Sequence, residues 1–235
     1  AFVFRAAMHD TSTKTLLGVT FAPDGEHEGE RALDLLARHP ATAHHIAYQL
    51  AQRFVADEPP AALVDRAAKT FRDTDGDLRE VVRTILTSPE FLASGARRAK
   101  VKTPLEFVAS AVRATGATIE SAQPLVAALQ TLGMPLYGCQ PPTGYGTRAA
   151  DWVNTGALIN RMNVAVRLVS AGPRTPVRVD VRALAPDTSA ASQDAIVASL
   201  LAGDASDATR STLARADTPH TLIALALGSP EFQRK

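Results

Sequence analysis

Cysteine is nearly absent from the sequence, with Cys139 the single example in 235 residues. One thiol excludes an intrachain disulfide and a metal cluster held by several thiolates, although it does not fix the cellular compartment. Aromatic residues are also scarce, at 5% of the chain. Because Val and Ile recur mainly at helical spacings, the sequence gives little support for an all-β fold.

Neither sign of charge dominates, and the formal net charge is only +1. This balance gives no electrostatic reason to expect nucleic acid or an anionic membrane as a partner. The chain also lacks an apolar run of about eighteen residues, which a membrane-spanning helix would need. No signal-peptide pattern is seen in the sequence, which opens on Ala1-Phe2-Val3-Phe4 without an initiator Met. We therefore expect a fragment, or a mature chain that lacks its N-terminal part.

Compact catalytic and nucleotide-binding motifs are missing as well. The sequence contains no G-x-S-x-G, Walker loop, G-x-G-x-x-G or H-E-x-x-H. The acidic stretch Asp73–Asp77 looks like a calcium loop, but an EF-hand needs Gly at its sixth position and Glu at its twelfth. Here the fourth residue is Gly76 and the twelfth is Thr84. We interpret the stretch as a helix end, followed by Asp77 as the N-cap of the next helix.

What the chain does contain is alanine and helical periodicity. Apolar residues make up 46% of the sequence, recur at three- and four-residue spacings, and are interrupted by Pro and Gly. This pattern predicts an all-α protein, an irregular multi-helix bundle of about ten helices. At most two short strands are expected, near Phe2–Phe4 and Val177–Val181. The predicted helices cover residues 26–38, 60–74, 78–87, 103–115, 121–132, 151–170, 193–201, 206–216 and 219–227, and one further helix of about four turns lies within residues 39–60.

Three regions are predicted from this organisation. Residues 1–170 form a main helical domain, residues 171–192 a linker or surface arm, and residues 193–235 a small C-terminal helical subdomain packed on the first. The helix at 151–170 should be the longest, capped by Asp151 and anchored by Trp152.

The segment His39–Pro60 is predicted to supply the central helix of the bundle. Pro40 suits the first helical position. The spacing places five apolar residues on one face: Ala43, Ile46, Ala47, Leu50 and Phe54. The small alanines would let neighbouring helices approach closely.

One short motif, S-P-E-F, occurs twice, at Ser88–Phe91 and at Ser229–Phe232, each time after an amphipathic helix. In both copies the serine can cap a new helix whose first residue is proline. Because the phenylalanine has the same position in both short helices, we predict that Phe91 and Phe232 are largely buried against the preceding helix.

The stretch with the most chemical character is His9-Asp10 with Lys14. A His beside an Asp can serve as an oriented base or belong to a metal site. The alternative is a polar turn, in which Asp10 binds backbone N–H groups, Lys14 pairs with Asp10, and His9 fills a gap.

Three further histidines, His39, His44 and His45, lie close together in the sequence without the spacing of a metal motif. His39 is predicted to join two helices by donating a ring N–H to a final carbonyl. Cys139 has no evident His partner. The sequence therefore predicts no metal site and no cofactor.

Nine motifs, in register along nearly the whole chain, resemble the bacterial family called "domain of unknown function 1800". In chain order they are Phe4 with His9-Asp10 and Lys14, Leu17-Gly18; His39-Pro40-Ala41-Thr42-Ala43; Phe54-Val55 with Pro59-Pro60; Gly76-Asp77-Leu78-Arg79; Lys102 with Pro104 and Glu106; Leu132-Gly133; Pro142 with Gly144; Trp152 with Arg161; and Ser229-Pro230-Glu231-Phe232-Gln233. One departure is Tyr145, which stands where the family usually shows Trp.

The resemblance implies more than the residues do. Family members are considerably longer, so the chain resembles their C-terminal half. They commonly carry export signals, which implies an extracytoplasmic location, periplasmic or secreted. The resemblance implies no activity.

A functional cleft, if the protein has one, is expected where His9–Gly18 meets the His39 end of the central helix and the long helix with Trp152 and Arg161. Arg161 lies on an apolar helix face and needs a carboxylate or several carbonyls, and Asp10 is the nearest candidate by type. The alternative is that Arg161 and Asp10 only pin the N-terminal segment to the bundle.

Two functional hypotheses follow. The first is a helical module of an exported bacterial protein of unknown function, used for binding or assembly. Its partner is unknown, with the absent N-terminal half or another exported protein as candidates. The alternative is a hydrolase-like or metal-dependent enzyme whose site is completed by that N-terminal half. This chain would contribute His9, Asp10, Lys14, Lys102, Glu106 and Arg161 to such a site. No catalytic residue is assigned; across both hypotheses the catalytic candidates are His9, Asp10, Lys14 and His39, and the binding candidates are Lys102, Glu106, Trp152 and Arg161.

Overall fold

Helix is the dominant structure in the computed structural model, which describes residues 2–235. Fourteen α-helices lie within these residues, ten of them seven residues or longer, together with two sheets of two short strands each. The prediction of an all-α, irregular multi-helix protein is therefore confirmed. No helix in this part of the chain combines the length and the apolar character that crossing a bilayer requires.

Two compact units divide the chain, the first ending at Ala96 and the second spanning Arg97–Lys235. This division does not coincide with the sequence-based boundaries at 170 and 192. The physical reason is a shared core, since buried residues from Phe107 to Phe232 form one apolar cluster. The segment 171–192, expected to be a linker or arm, contributes three buried residues to that cluster: Val177, Val181 and Ala185.

The first unit contains one hairpin and, among its described residues, five α-helices. They are β1 (Lys14–Leu16), β2 (Val19–Phe21), α1 (Glu26–Ala37), α2 (Pro40–Phe54), α3 (Ala61–Asp73), α4 (Leu78–Leu86) and α5 (Pro89–Leu92). Helix α2, the predicted central helix, packs on α3 and α4 in this unit. Its fully buried face is the alanine stripe Ala43, Ala47 and Ala51, whereas Phe54 is exposed. The small stripe lets α3 pack closely against α2.

The hairpin lies in a segment for which the sequence predicts only turns. Strands β1 and β2 pair antiparallel, with Leu16 opposite Val19. Leu17 and Gly18 connect them with positive φ angles of 52° and 79°, as a two-residue type I′ turn requires. The strand expected at Phe2–Phe4 is not formed, because alternation of side chains does not by itself supply a neighbouring strand.

The second unit holds the remaining elements. They are α6 (Pro104–Ala114), β3 (Thr118–Ile119), α7 (Gln123–Thr131), α8 (Ala149–Trp152), α9 (Thr155–Val169), β4 (Val177–Arg178), α10 (Val181–Leu184), α11 (Ala190–Leu201), α12 (Asp207–Leu213), α13 (Pro219–Gly228) and α14 (Pro230–Gln233). Helix α13 is at the centre of this unit and packs along α9, with Leu222, Ile223 and Leu227 fully buried.

The single helix predicted over 151–170 is two helices, α8 and α9. Asn154 separates them with an extended backbone, and its Oδ1 accepts a hydrogen bond from the Ala157 N–H at 2.8 Å. Asn154, not Asp151, is therefore the cap of the long helix. Asp151 lies inside α8, where its carboxylate accepts from the Arg148 N–H at 3.0 Å.

The strand expected near Val177–Val181 is present but shorter. It consists of Val177 and Arg178, and it pairs antiparallel with β3. Val181 instead lies in α10, because Asp180 caps that helix by accepting from the Ala183 N–H at 3.1 Å.

The beginning and the end of the second unit pair with each other in extended conformation. The Lys102 N–H donates to the Gln233 carbonyl at 2.8 Å, and the Lys235 N–H donates to the Lys100 carbonyl at 2.9 Å. Residues 100–102 are thus hydrogen-bonded to the last residues of the chain.

Both S-P-E-F motifs form the same local structure. The Oγ atoms of Ser88 and Ser229 accept hydrogen bonds from the N–H groups of Phe91 and Phe232, at 3.1 and 3.2 Å. Phe232 is 3% exposed, as predicted. Phe91 is partly buried and packs against the first unit's core, so the predicted burial is complete only for Phe232.

Candidate functional site

A buried carboxylate, Glu28, organises the N-terminal segment of the first unit. Glu28 is 5% exposed. Its Oε1 contacts His9 Nε2 at 2.9 Å and accepts from the Asp24 N–H at 2.8 Å, and its Oε2 accepts from Lys14 Nζ at 2.8 Å. The hydrogen bond from His9, then those from Lys14 and Asp24, lower the pKa of Glu28 to about 2. Glu28 is therefore an anion that holds the predicted candidates His9 and Lys14 together.

Asp10, the neighbour of His9, forms a local turn. Its carboxylate accepts from the N–H and from the hydroxyl of Ser12, each at 2.8 Å. These two hydrogen bonds lower the pKa of Asp10. Lys14 pairs with Glu28 and with the backbone carbonyl of Asp10, and not with the Asp10 carboxylate as the sequence suggested.

Acid should loosen the N-terminal segment through Glu28. Since the folded-state pKa of Glu28 is about 2 against an ordinary value of 4.5, its contribution to stability is complete above about pH 4.5 and is lost as the pH falls toward 2. A carboxyl ¹³C NMR titration, assigned with Glu28→Gln, should give a midpoint near 2. In a control variant with His9→Ala and Lys14→Gln the midpoint should rise toward 4.5. A wild-type midpoint near 4.5 would contradict the structure.

His39 caps a helix rather than binding a carbonyl. Its Nδ1 accepts a hydrogen bond from the Ala41 N–H at 3.1 Å, at the start of α2. The expected ring N–H donation to a final carbonyl is therefore wrong in direction, although His39 does join α1 to α2. Nowhere in residues 2–235 do three or more His, Cys, Asp or Glu side chains gather in a group that could hold a metal ion.

Arg161 is the most deeply buried of the candidate side chains in the second unit, at 2% exposure. Its guanidinium donates to Gln233 Oε1 and to the Lys102 carbonyl, each at 2.7 Å, and lies 5.5 Å from the centre of the Phe107 ring. Burial lowers the pKa of Arg161. The partners of Arg161 are thus an amide and a carbonyl of its own unit, and the carboxylate of Asp10 binds Ser12 instead.

Lys102 and Glu106 lie beside Arg161 in the same cluster. The Lys102 ammonium is 3.9 Å from the centre of the Phe232 ring. Burial, followed by repulsion from Arg98, lowers the pKa of Lys102 to about 8. Glu106 forms a capping box with Thr103 at the start of α6 and an ion pair with Lys235. Three of the four predicted binding residues, Lys102, Glu106 and Arg161, therefore lie in one cluster. Each of them makes a contact that stabilises the fold.

Trp152 serves a different purpose, which is to fix the long loop before α8. Its indole N–H donates to the Gly146 carbonyl at 2.9 Å, and its ring lies 6.0 Å from that of Tyr145. The Tyr145 hydroxyl donates to the Pro135 carbonyl at 2.8 Å. Tyr145 therefore lies between the loop carbonyl of Pro135 and the Trp152 ring.

A pocket of about 400 Å³ opens in the second unit between α6, α7, α9 and the segment before β4. Its wall is almost wholly apolar, and the lining residues are Val108, Ala111, Val112, Pro124, Leu125, Ala127, Ala128, Thr131, Val164, Arg167, Leu168, Ala171, Thr175, Pro176 and Val177. None of the eight candidate residues predicted from the sequence lines this pocket. His9 and Lys14 meet on Glu28 in the first unit, and Lys102, Glu106 and Arg161 lie together in the second. The expected common cleft stays a prediction.

The pocket could not be predicted from the sequence, because it is formed by the small size of residues rather than by their chemistry. Ala111, Ala127, Ala128 and Ala171 line it, and a longer side chain at these positions would occupy the space. In a sequence, an alanine that permits close helix packing and an alanine that leaves a pocket are indistinguishable.

Comparison with known proteins gives one match. The model of the family described as "Protein of unknown function (DUF1800)" matches residues 1–234. No curated protein and no solved structure matches the chain.

Proposed function

Since the chain belongs to the DUF1800 family, we propose that it is a helical binding module of an exported bacterial protein. The description of the family states no activity, so the role is argued from the chain's own residues. The observation that carries this proposal is the apolar pocket of the second unit. At about 400 Å³ it lies within the usual range for small-molecule sites, about 300–1,000 Å³, and such sites are lined mainly by apolar side chains. The location, outside the cytoplasm of a bacterium, rests on the family resemblance.

The polar candidates support a binding role over a catalytic one, because their hydrogen bonds cap helices or join neighbouring segments of the backbone. His39 and Glu106 satisfy backbone N–H groups at the starts of α2 and α6. Arg161 and Trp152 donate to backbone carbonyls that hold neighbouring segments in place. Residues used in this way stabilise the helices and loops of their own unit.

The pocket should bind a neutral apolar probe, N-phenyl-1-naphthylamine, whose fluorescence rises in an apolar site. Ala128→Phe should weaken probe binding at least about tenfold, because the new ring occupies space that the probe needs. The matched control is Ala109→Phe, at an exposed position of α6 that does not line the pocket, and it should bind like the wild type. A folded Ala128→Phe variant with unchanged probe affinity would refute the proposal.

A second candidate, a hydrolase-like or metal-dependent enzyme, is favoured by one observation, the His9–Glu28 pair. A carboxylate that fixes one ring nitrogen can orient the imidazole as a base, and Lys14 lies on the same carboxylate. The two candidates differ in their response to His9→Ala, which should abolish an activity of the second kind and leave probe binding unchanged.

A further inference from the structure

The pocket has one charged residue among its described lining residues, Arg167. Arg167 lies in the last turn of α9, is exposed, and is one of the residues that line the pocket. The other side chains that line the pocket are mainly apolar. A ligand that matched both features would carry an apolar chain and a single anionic group.

The remaining side-chain donors of the lining are already used within the protein. The Thr131 hydroxyl donates to the Ala127 carbonyl at 3.1 Å. The Thr175 hydroxyl lies 2.6 Å from the Gly172 carbonyl and 2.9 Å from the Val177 carbonyl. An uncharged polar head would therefore gain little from these two hydroxyls, whereas an anionic head would gain the guanidinium, whose planar fork matches a carboxylate.

From this arrangement we propose that the pocket binds an aliphatic carboxylate, with the alkyl chain between α6, α7 and α9 and the carboxylate on Arg167. The inference rests on the proposed binding function and names its ligand class. The volume sets the chain length. At about 30 Å³ for each water-sized group, the 400 Å³ of the pocket holds about a dozen such groups, which corresponds to a chain of about ten carbons.

Affinity for decanoate and for 1-decanol, each below its aggregation limit, separates the head group from the chain. The wild type should bind decanoate about fivefold tighter than decanol, the upper end for an exposed ion pair. Decanoate should bind tighter than octanoate by about fourfold for each added methylene, because each one buries more apolar surface. Calorimetric titration, or displacement of the naphthylamine probe, measures both ratios.

Three variants test the role of Arg167. Arg167→Gln should abolish the preference for decanoate and leave decanol binding unchanged, and Arg167→Lys should retain part of the preference. The matched control is Arg113→Gln, in the last turn of α6, exposed and outside the lining, which should behave as the wild type. Arg167 could instead act only by stabilising the C-terminal end of α9 through the helix dipole. Its replacement would then change stability and leave the ratio of the affinities for decanoate and decanol unchanged, which would overturn the inference.

Other outcomes distinguish a failure of the inferred ligand class from a failure of the proposed binding function. Equal affinity for decanoate and decanol in the wild type would overturn the inference and leave the proposed function standing. Decanoate binding that survives Ala128→Phe would overturn the inference, because the anion would then bind outside the pocket. Absence of binding by decanoate, decanol and the naphthylamine probe alike would overturn both. Self-association that Ala128→Phe abolishes, without probe binding, would place a second copy in the pocket and would also overturn the inference.

Discussion

Arg161→Ala should lower the free energy of unfolding of the second unit by about 3 kcal/mol, the usual cost when a buried polar network loses its charged member. The substitution leaves Gln233 Oε1 and the Lys102 carbonyl, both now bonded at 2.7 Å, without their donor. It also leaves a void beside Phe107. Urea unfolding followed by the fluorescence of Trp152, the one tryptophan of the chain, which lies in the same unit, measures the loss.

Two controls sharpen this result. Arg161→Lys keeps the charge but cannot reach two acceptors with the geometry of a planar fork, so its loss should be intermediate. Arg113→Ala, at an exposed position, should change the free energy of unfolding by less than about 0.5 kcal/mol. An Arg161→Ala loss no larger than that of Arg113→Ala would mean that the buried guanidinium is not needed for stability.

Phe232→Ala should cost about 4 kcal/mol, within the range for removing a buried aromatic ring. The Phe232 ring meets Phe107 edge to face with centroids 6.1 Å apart, and the Lys102 ammonium lies 3.9 Å from its centre. The change therefore removes core contacts and also the ring on which a partly buried cation lies. The loss should be measured by urea unfolding followed by far-UV circular dichroism.

The natural comparison is Phe91→Ala, the same change in the other S-P-E-F motif. Because Phe91 is only half-buried, its removal should cost about 2 kcal/mol, roughly half as much. Equal losses at the two positions would contradict the difference in burial seen between the motifs.

Most of the helices that could be predicted from the sequence begin at residues whose hydrogen-bond partners lie nearby in the chain. Asp77, Ser88, Thr103 and Ser229 each cap a helix through an N–H no more than three residues away, so the information lies within one turn of the chain. The error at 151–170 is also local. Apolar spacing continues across Asn154, and the periodicity concealed a cap that the residue type alone would have indicated.

Partners far apart in the sequence could not be predicted. Glu28 lies 19 residues from His9, and Gln233 lies 72 residues from Arg161. In both cases the polar group was recognised, but the wrong carboxylate, Asp10, was assigned as the partner. Residue type identifies which group needs a partner when buried, whereas the identity of that partner depends on the packing of helices.

The pairing of residues 100–102 with residues 233–235 has a consequence for the order of folding. Across this junction Glu106 and Lys235 are 129 residues apart in the chain, so an early pairing would close a loop of nearly the whole second unit before its core could compensate for the lost chain entropy. Contacts of such separation form late and contribute to slow folding. We therefore expect the junction to form after the helices between its two segments, so that amide protection at Lys102 and Lys235 should appear only when the second unit has completed folding.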